Sequence, residues 1–347
     1  MNFKEKITQF KQKNLYRQIL INDAKLIDFC SNDYLGMKSH SKVIESFKNA
    51  LDKYGVGSGG SHLISGHSLP HLELEEYLAS LLNCQKVLIF STGYMANLGV
   101  FSALKDDLNW ILQDKLNHAS LLDANFLISQ KIQRYKHNDI DSLQQKINKQ
   151  SGFGLIATDN IFSMDGDIAN ITTISDTIKD YNAILMQDDA HGFGIYKPNI
   201  PKNSIYMATF GKAIGTFGAF VAGDADFIDY LIQKSRPYIY TTATPPALSV
   251  ATLTALKIID TEKPQQKLFE NIRLFKSLVE TNSNTAIQPI LIDNNEKALQ
   301  LSNDLLKKGF LVKAIRPPTV KKAILRVTLS ANHTNQQIEK LAESLIL

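Results

Sequence analysis

Six short apolar runs recur between residues 87 and 223: VLIF (87–90), WIL (110–112), GLIAT (154–158), AILM (183–186), IYMATF (205–210) and GAFVAG (218–223). Each is nearly continuous in apolar character, without the in–out alternation of a strand that faces water on one side. Such runs are strands buried on both faces. The segments between several of them, 94–105, 118–130 and 139–149, carry helical spacing. Strand–helix alternation of this kind leads to an α/β unit on a mainly parallel sheet. Past about residue 246 the texture changes. Two long helical patterns, 246–260 and 263–281, lead into strand–helix–strand units that run to Leu347. With 347 residues, more than one domain usually holds. The expected division is an N-terminal helix and segment (1–40), a large domain (41–245) and a smaller α/β domain (246–347). Three further helices are predicted: 4–18, amphipathic; 41–54, begun by Ser41 as a cap and ended by Gly55; and 70–82, with a proline at its start.

Charge and cysteine content narrow the class of partner. There are 38 basic and 34 acidic residues, a net charge of +4. That balance gives no reason to expect nucleic acid or a membrane as partner. The two cysteines, Cys30 and Cys84, cannot form a disulfide framework and lack metal-ligand spacing. They read as reduced thiols of a cytoplasmic protein. The N-terminus, MNFKEKITQFKQKNLYRQ, lacks the apolar core of a signal peptide, and no run is long enough to span a bilayer. No HExxH, CxxC or GxSxG is present, so neither a metal site nor a serine hydrolase of the α/β-hydrolase kind is expected.

Ligands of open α/β sheets bind beyond the carboxyl ends of the strands, so polar groups just after the apolar runs are the candidates. QDDAHGFG follows AILM and offers Asp188 and His191. On this segment alone, a helix-capping aspartate and a surface histidine remain equally good readings. TFGKAIGTFG follows IYMA and sets Lys212 among Gly211, Gly215 and Gly218. A lone lysine after a strand is usually solvated; the glycines suggest backbone packed against something flat, with an amine projecting into a cleft. STGYMAN joins a strand to a helix, so Gly93, Tyr94 and Met95 would present amides of a helix N-terminus, which suits a phosphate. His118 falls at a helix start. His62 and His67 lie in the glycine-rich stretch 54–68, which lacks the GK[ST] ending of a Walker loop and reads equally well as a flexible linker.

The order of the motifs is more specific than any one of them. SNDYLG (31–36), GSGGSHLISG (57–66), STGYMANLG (91–99), NHASLLDA (117–124), IFSMDGD (161–167), DDAHGFG (188–194), TFGKAIG (209–215), TATPPA (242–247), AIRPPTV (314–320) and LRVTLSANHT (325–334) together resemble the α-oxoamine synthases. The resemblance runs from about residue 15 to the C-terminus. It implies a pyridoxal 5′-phosphate (PLP) dependent transferase of fold type I, with a large domain on a mainly parallel seven-stranded sheet flanked by helices and a smaller C-terminal α/β domain. It also implies a homodimer with shared active sites, and decarboxylative condensation of L-alanine with a pimeloyl thioester carried by coenzyme A or by acyl-carrier protein.

Carried over one position at a time, the resemblance implies these roles. Lys212 matches the lysine that holds the cofactor as a Schiff base and serves as the base. Asp188 matches the carboxylate at the pyridinium nitrogen, and His191 the residue near the ring oxygen, with Ser163 beside it. His118 matches the imidazole stacked on the ring, able to hydrogen-bond the thioester oxygen. Gly93 and Tyr94 match the backbone anchors of the phosphate, and Thr209 a hydroxyl ligand to it. Thr241 and Thr242 match a segment that reaches the phosphate from the neighbouring subunit. Asn32 matches an asparagine near the substrate, and Arg326 the arginine that grips the amino-acid carboxylate.

The chain also departs from the family pattern. Segment 195–204 is short, the link from Arg316 to Arg326 is trimmed by about two residues, and Asp159 and Asn160 stand where Glu and Gly are common. These changes bear on the acyl-chain pocket and the donor's entry path. Other members of the family, which use glycine or serine or a different acyl donor, remain alternatives, as does a catalytically silent binding subunit; the presence of Lys212, Asp188 and His191 weighs against the last.

Overall fold

The computed structural model describes residues 2–12, 15–17, 19, 21, 23, 25–128 and 132–345. Its centre is a seven-stranded sheet: β1 (Lys86–Phe90), β2 (Trp110–Asp114), β3 (Ile132–Tyr135), β4 (Gly154–Asp159), β5 (Ala183–Asp188), β6 (Ser204–Thr209) and β7 (Ala219–Gly223). The spatial order is β1-β7-β6-β5-β4-β2-β3. β7 runs antiparallel to both its neighbours, β1 and β6; the other pairings are parallel. The six apolar runs each form one of these strands. β3 (IQRY) has no such run. It is an edge strand with a single neighbour and is only partly buried, so its sequence need not be apolar.

Side chains alternate across the sheet and bury on both faces. Leu88, Met207 and Val221 pack under helices Gly93–Leu104 and Ala225–Lys234. Val87, Ile89, Tyr206 and Phe220 face the opposite way, toward helices Ser41–Tyr54, Leu69–Leu82 and Pro246–Glu262. Trp110, Leu112, Ile156 and Leu185 pack under Ile140–Ile147 and Ile171–Ile178.

Several local expectations need revision. His40, not Ser41, is the N-cap of Ser41–Tyr54, and no side chain caps that helix; Gly55 does end it, with φ 77°. The helix predicted over 118–130 is a single turn and a half, Ala119–Asp123, followed by a 3-10 turn over 124–126; residues 129 and 130 lie outside the described set. The N-terminal helix is Phe3–Gln12, and none of its residues is buried. Residues 13, 14 and 18 of the predicted 4–18 span lie outside the described residues.

Toward the C-terminus a three-stranded antiparallel sheet forms from β8 (Ile287–Leu291), β9 (Lys313–Ile315) and β10 (Ile324–Thr328), with β10 central. It is antiparallel throughout, and helices Asn295–Lys307 and Asn335–Leu345 accompany it. The SNDYLG segment is tied to this region. Ile27 and Asp28 pair with Phe310 and Leu311, Thr328 N donates to Phe29 O, and Ser330 Oγ donates to Asp33 O. Among the described residues no helix is long and apolar enough to cross a membrane.

Phe220 lies at the crossing of these layers, fully buried, with ring centroids 5.0 Å from Phe193 and 5.4 Å from Phe210. Phe220→Ala is expected to cost ~3–5 kcal/mol, because the surrounding rings cannot collapse into the space. Denaturant unfolding checks this; a loss below ~1 kcal/mol would show that the core repacks freely.

Candidate active site

Because β1, β2, β4, β5 and β6 run in one direction, their carboxyl ends share one edge of the sheet. The loops that leave them enclose a cavity of about 200 Å³ lined by Gly93, Tyr94, His118, Ser120, Asp159, Ile161, Ser163, Asp188, Ala190, His191, Met207, Thr209 and Lys212. Eight residues singled out from sequence therefore meet there: Gly93, Tyr94, His118, Ser163, Asp188, His191, Thr209 and Lys212. Five strand ends contribute, so sequence distance says nothing of their proximity.

Asp188 ends β5 and is buried. Its Oδ2 accepts from Asn97 Nδ2 at 2.8 Å, and its Oδ1 from the Ala190 amide at 3.0 Å. Asn97 also donates to Ser120 Oγ at 2.8 Å, and that hydroxyl lies 2.8 Å from His118 Nδ1. One network thus joins Asp188 to His118. Asn97 and Ser120 were given no role from sequence. The available signal was the polar Asn97 in the largely apolar helix GYMANLGVFSAL, where a buried amide must find partners.

Lys212, on the loop after β6, is half-buried. Removal of its amine from water pushes the pKa down to about 8, against the pull of Asp188 and Asp159 and with help from Arg326. Gly215, three residues on, has φ 71°, and a Cβ there would lie 2.3 Å from the Lys38 amide, so only glycine closes this turn. Asp159 accepts from the His118 amide at 3.1 Å. Burial, then the Asp188 charge, raises its pKa well above the ordinary carboxylate range. It holds the His118 backbone in spite of being shorter than glutamate.

His191 is buried, and burial together with the positive charge of Lys212 and Arg326 keeps its imidazole neutral. Its Nδ1 lies 2.6 Å from the Tyr34 hydroxyl, which is also 3.1 Å from Asn32 Oδ1. Burial excludes the surface-histidine reading of this segment, and the helix-cap reading fails because no helix directly follows Asp188. His118 caps its short helix through Nδ1, as expected, and its ring is exposed at the cavity rim.

Where helix Gly93–Leu104 starts, the cavity wall carries unpartnered polar groups. Thr209 Oγ1 is buried with no hydrogen-bond partner among the described residues. A Cβ at Gly93 would come within 2.6 Å of Thr209 Cγ2, so the helix start and the strand end touch only because residue 93 is glycine. Thr92 caps the Met95 amide, and the Gly93 and Tyr94 amides, at the first turn, have no partner within the helix. An orphaned hydroxyl beside free helix-end amides fits a phosphate. With Asp188 at one end and Lys212 at its side, the cavity fits a flat, phosphate-bearing pyridine.

Asn32 and Arg326 are not among the lining residues; Arg326 reaches the cavity wall through Ser163, and Asn32 through Tyr34 and His191. Arg326, in the middle of β10, donates from Nε to Ser163 O at 2.7 Å, from one terminal nitrogen to Thr328 Oγ1 at 2.9 Å, and from the other to Asn32 Oδ1 at 3.3 Å. Thr241 and Thr242 do not line the cavity of their own chain. They are half-buried and exposed, and Thr242 bridges to Ser61 of the glycine-rich stretch. His62 and His67 are likewise apart from the cavity; their Nδ1 atoms are 3.0 Å apart, and His62 stacks on Tyr238.

Comparison with known proteins agrees with this geometry. The family model "Aminotransferase class I and II" matches residues 24–345. An 8-amino-7-oxononanoate synthase of Pseudomonas fluorescens is 45% identical over 94% of this chain and 89% of its own length. One of Saccharophagus degradans is 46% identical over 92% and 86%. Among solved structures, a serine palmitoyltransferase of S. paucimobilis with bound PLP-myriocin aldimine has TM-score 0.90 at 25% identity, covering 98% of this chain and 94% of that one. The 8-amino-7-oxononanoate synthase of Francisella tularensis has TM-score 0.79 at 31% identity, covering 93% and 97%.

The amine of Lys212 sets a pH test. In cofactor-stripped protein, its rate of combination with added aldehyde is expected to rise through pH about 8. Asp188→Asn should move that midpoint lower, because it removes a carboxylate that favours the charged amine. A midpoint near the ordinary lysine value of 10.5 would mean that the amine is solvated.

The orphaned Thr209 hydroxyl, the Asp188–Lys212 pair and the relatives that share nearly the whole chain lead to one assignment: this chain belongs to the aminotransferase class I and II family and, within it, to the PLP-dependent 8-amino-7-oxononanoate synthases.

Proposed function

We infer that the chain condenses L-alanine with a pimeloyl thioester, releasing CO2, the carrier thiol and 8-amino-7-oxononanoate, the step its relatives are named for in the making of biotin. The observation that carries this reading is the amine of Lys212 set beside Asp188 in a cavity that ends in an unpartnered hydroxyl. PLP, when bound, supplies an electron sink for the charge left on the amino acid's Cα.

The chain's own groups do the rest. Asp188, an acceptor held by Asn97 and the Ala190 amide, keeps a proton on the pyridine nitrogen. His118 and Ala190 line the cavity and fix the ring plane. The Tyr34 hydroxyl, which donates to Asn32 Oδ1, also meets His191 Nδ1 and so fixes the direction of the imidazole. Thr209 and the amides of Gly93 and Tyr94 anchor the phosphate. Ser163, which lines the cavity, would lie beside the ring oxygen.

Lys212 would hold the cofactor, and its free amine would serve as the base for the substrate Cα proton, for which a pKa of about 8 is well matched near neutrality. Arg326 spends three N–H groups on Ser163, Thr328 and Asn32. Of its five, one N–H then remains on each terminal nitrogen, a fork suited to a carboxylate. Holding the substrate carboxylate there sets which Cα bond lies in line for cleavage. Asn32 fixes the far side of that fork. His118 is within reach of a thioester oxygen at the open rim. After loss of CO2, Lys212 returns the proton.

A second copy completes the site in this reading. Thr241 and Thr242 would reach the neighbour's phosphate, and the exposed apolar side chains Val56, Leu63, Ile64 and Leu69 border the stretch to which Thr242 bridges. Covering them is what a homodimer would do. The thioester carrier is coenzyme A or acyl-carrier protein.

Turnover of purified holoenzyme with L-alanine or glycine against pimeloyl, succinyl and acetyl thioesters tests the assignment. Alanine with pimeloyl is expected to give the highest kcat/KM; preference for glycine with a short acyl group would displace it. Lys212→Ala is expected to lose the absorption band that borohydride bleaches and to cut turnover by roughly a thousandfold.

A further inference from the structure

The hairpin that carries Ser163 is held from two sides by groups with no part in the reaction. Residues 160–169 fold back on themselves: Ile161 bridges Ile168, Phe162 N donates to Asp167 O, and Ala169 N donates to Asn160 O. On the side of the small sheet, Gly166 O accepts from Ser283 Oγ and Thr285 Oγ1, each at 3.0 Å. On the side of the large sheet the hold is ionic. His137, just beyond β3, places Nε2 2.6 Å from Asp167 Oδ2 and Nδ1 2.9 Å from Asp114 Oδ1. Asp114, at the end of β2, is fully buried and also accepts from the Leu116 and Asn138 amides. Asn138 Nδ2 adds a 2.7 Å bond to Asp167. The His137 ring meets Phe162 edge-on at 4.4 Å.

Both ring nitrogens of His137 face carboxylate oxygens. Ionised carboxylates only accept, so both nitrogens can donate only when the ring is an imidazolium. Burial works against that charge, but hydrogen bonds and charge from Asp114 and Asp167 outweigh it and push the pKa up to about 10. The nearby carboxyl of Asp165, at the hairpin tip, adds further negative charge on this side. The clamp is therefore closed at neutral pH, and it fixes the base of a hairpin whose tip presents Ser163 O to Arg326 Nε at 2.7 Å.

We propose that His137 is a positioning residue for the amino-acid substrate: pinned between Asp114 and Asp167, it sets the hairpin so that the Ser163 carbonyl aims the Arg326 fork at the substrate carboxylate. This rests on the reading of Arg326 given above. His137 touches neither substrate nor cofactor. Loosening the clamp leaves Lys212, Asp188 and His118 in place and turns the guanidinium about its remaining bonds to Thr328 and Asn32.

The test uses holoenzyme carrying His137→Gln, with Asp167→Asn as a second variant that keeps the side-chain shape and removes the charge. Read-outs are the KM for alanine, the KM for the pimeloyl thioester, and an absorbance titration with alanine alone. His137→Gln is expected to raise the alanine KM and the titration midpoint about tenfold, equivalent to ~1.4 kcal/mol, with the thioester KM within about twofold and the borohydride-sensitive band retained. Asp167→Asn should move the same parameters in the same direction. In an Arg326→Lys background, His137→Gln should add less than about twofold, because the two act through one contact. An unchanged alanine KM with only a lower Tm, or equal changes in both KM values, overturns the proposal. If Arg326→Lys itself leaves alanine binding unchanged, the reading of Arg326 fails and the proposal with it. If Arg326→Lys weakens alanine binding and His137→Gln does not, only the role of His137 falls.

Discussion

An amine withdrawn from water beside a buried carboxylate is the constraint around which this protein is arranged. Neither Lys212 nor Asp188 could hold its position at acceptable cost if left to itself, since a buried charge needs partners. Asp188 has two donors, Asn97 and the Ala190 amide, on separate elements. Lys212 is carried on a turn that Gly215 alone permits. The mainly parallel sheet makes the pairing possible: it brings the carboxyl ends of β5 and β6 to adjacent positions and lets β1, β2 and β4 supply the walls.

A layer of support lies behind the residues that face the cavity. Asn97 and Ser120 link Asp188 to His118, Asp159 holds the His118 backbone, and Tyr34 links His191 to Asn32. The His137 clamp belongs to the same layer, one step further out. These groups fix tautomer, charge and direction for side chains that would otherwise be mobile, and preorganisation of that kind is what makes a site selective about which bond it breaks.

Legibility in the sequence followed burial. The six apolar runs became strands because their burial on both faces forces an unbroken apolar pattern. β3 escaped notice because an edge strand is free of that demand. The candidates at strand ends, Asp188, His191 and Lys212, were legible from position after a strand, and the motif order added Asn32, Ser163, Thr209 and Arg326. Asn97, Ser120 and His137 were not singled out. A buried asparagine inside an apolar helix was the available clue for the first; the other two look like ordinary polar residues until their partners are known. The cap of the helix 41–54 differs from the sequence expectation because a serine at a helix start need not bond its own helix, and here His40 occupies the boundary.

The sequence by itself determined the strand-and-helix alternation, the chemical types available at each strand end, and the order of motifs that marks the family, because each of these is written in local composition and spacing. Tertiary structure alone decided that five strand ends converge on one cavity, that Arg326 from the small sheet meets Ser163 and Asn32 from distant segments, and that His137 lies between the carboxylates of Asp114 and Asp167. Those outcomes depend on separations in space that chain distance does not encode: Ser163 and Arg326 are 163 positions apart in the chain, and Asn32 and Arg326 are 294 apart. Only folding removes the water that would otherwise level the differences in proton affinity among these groups.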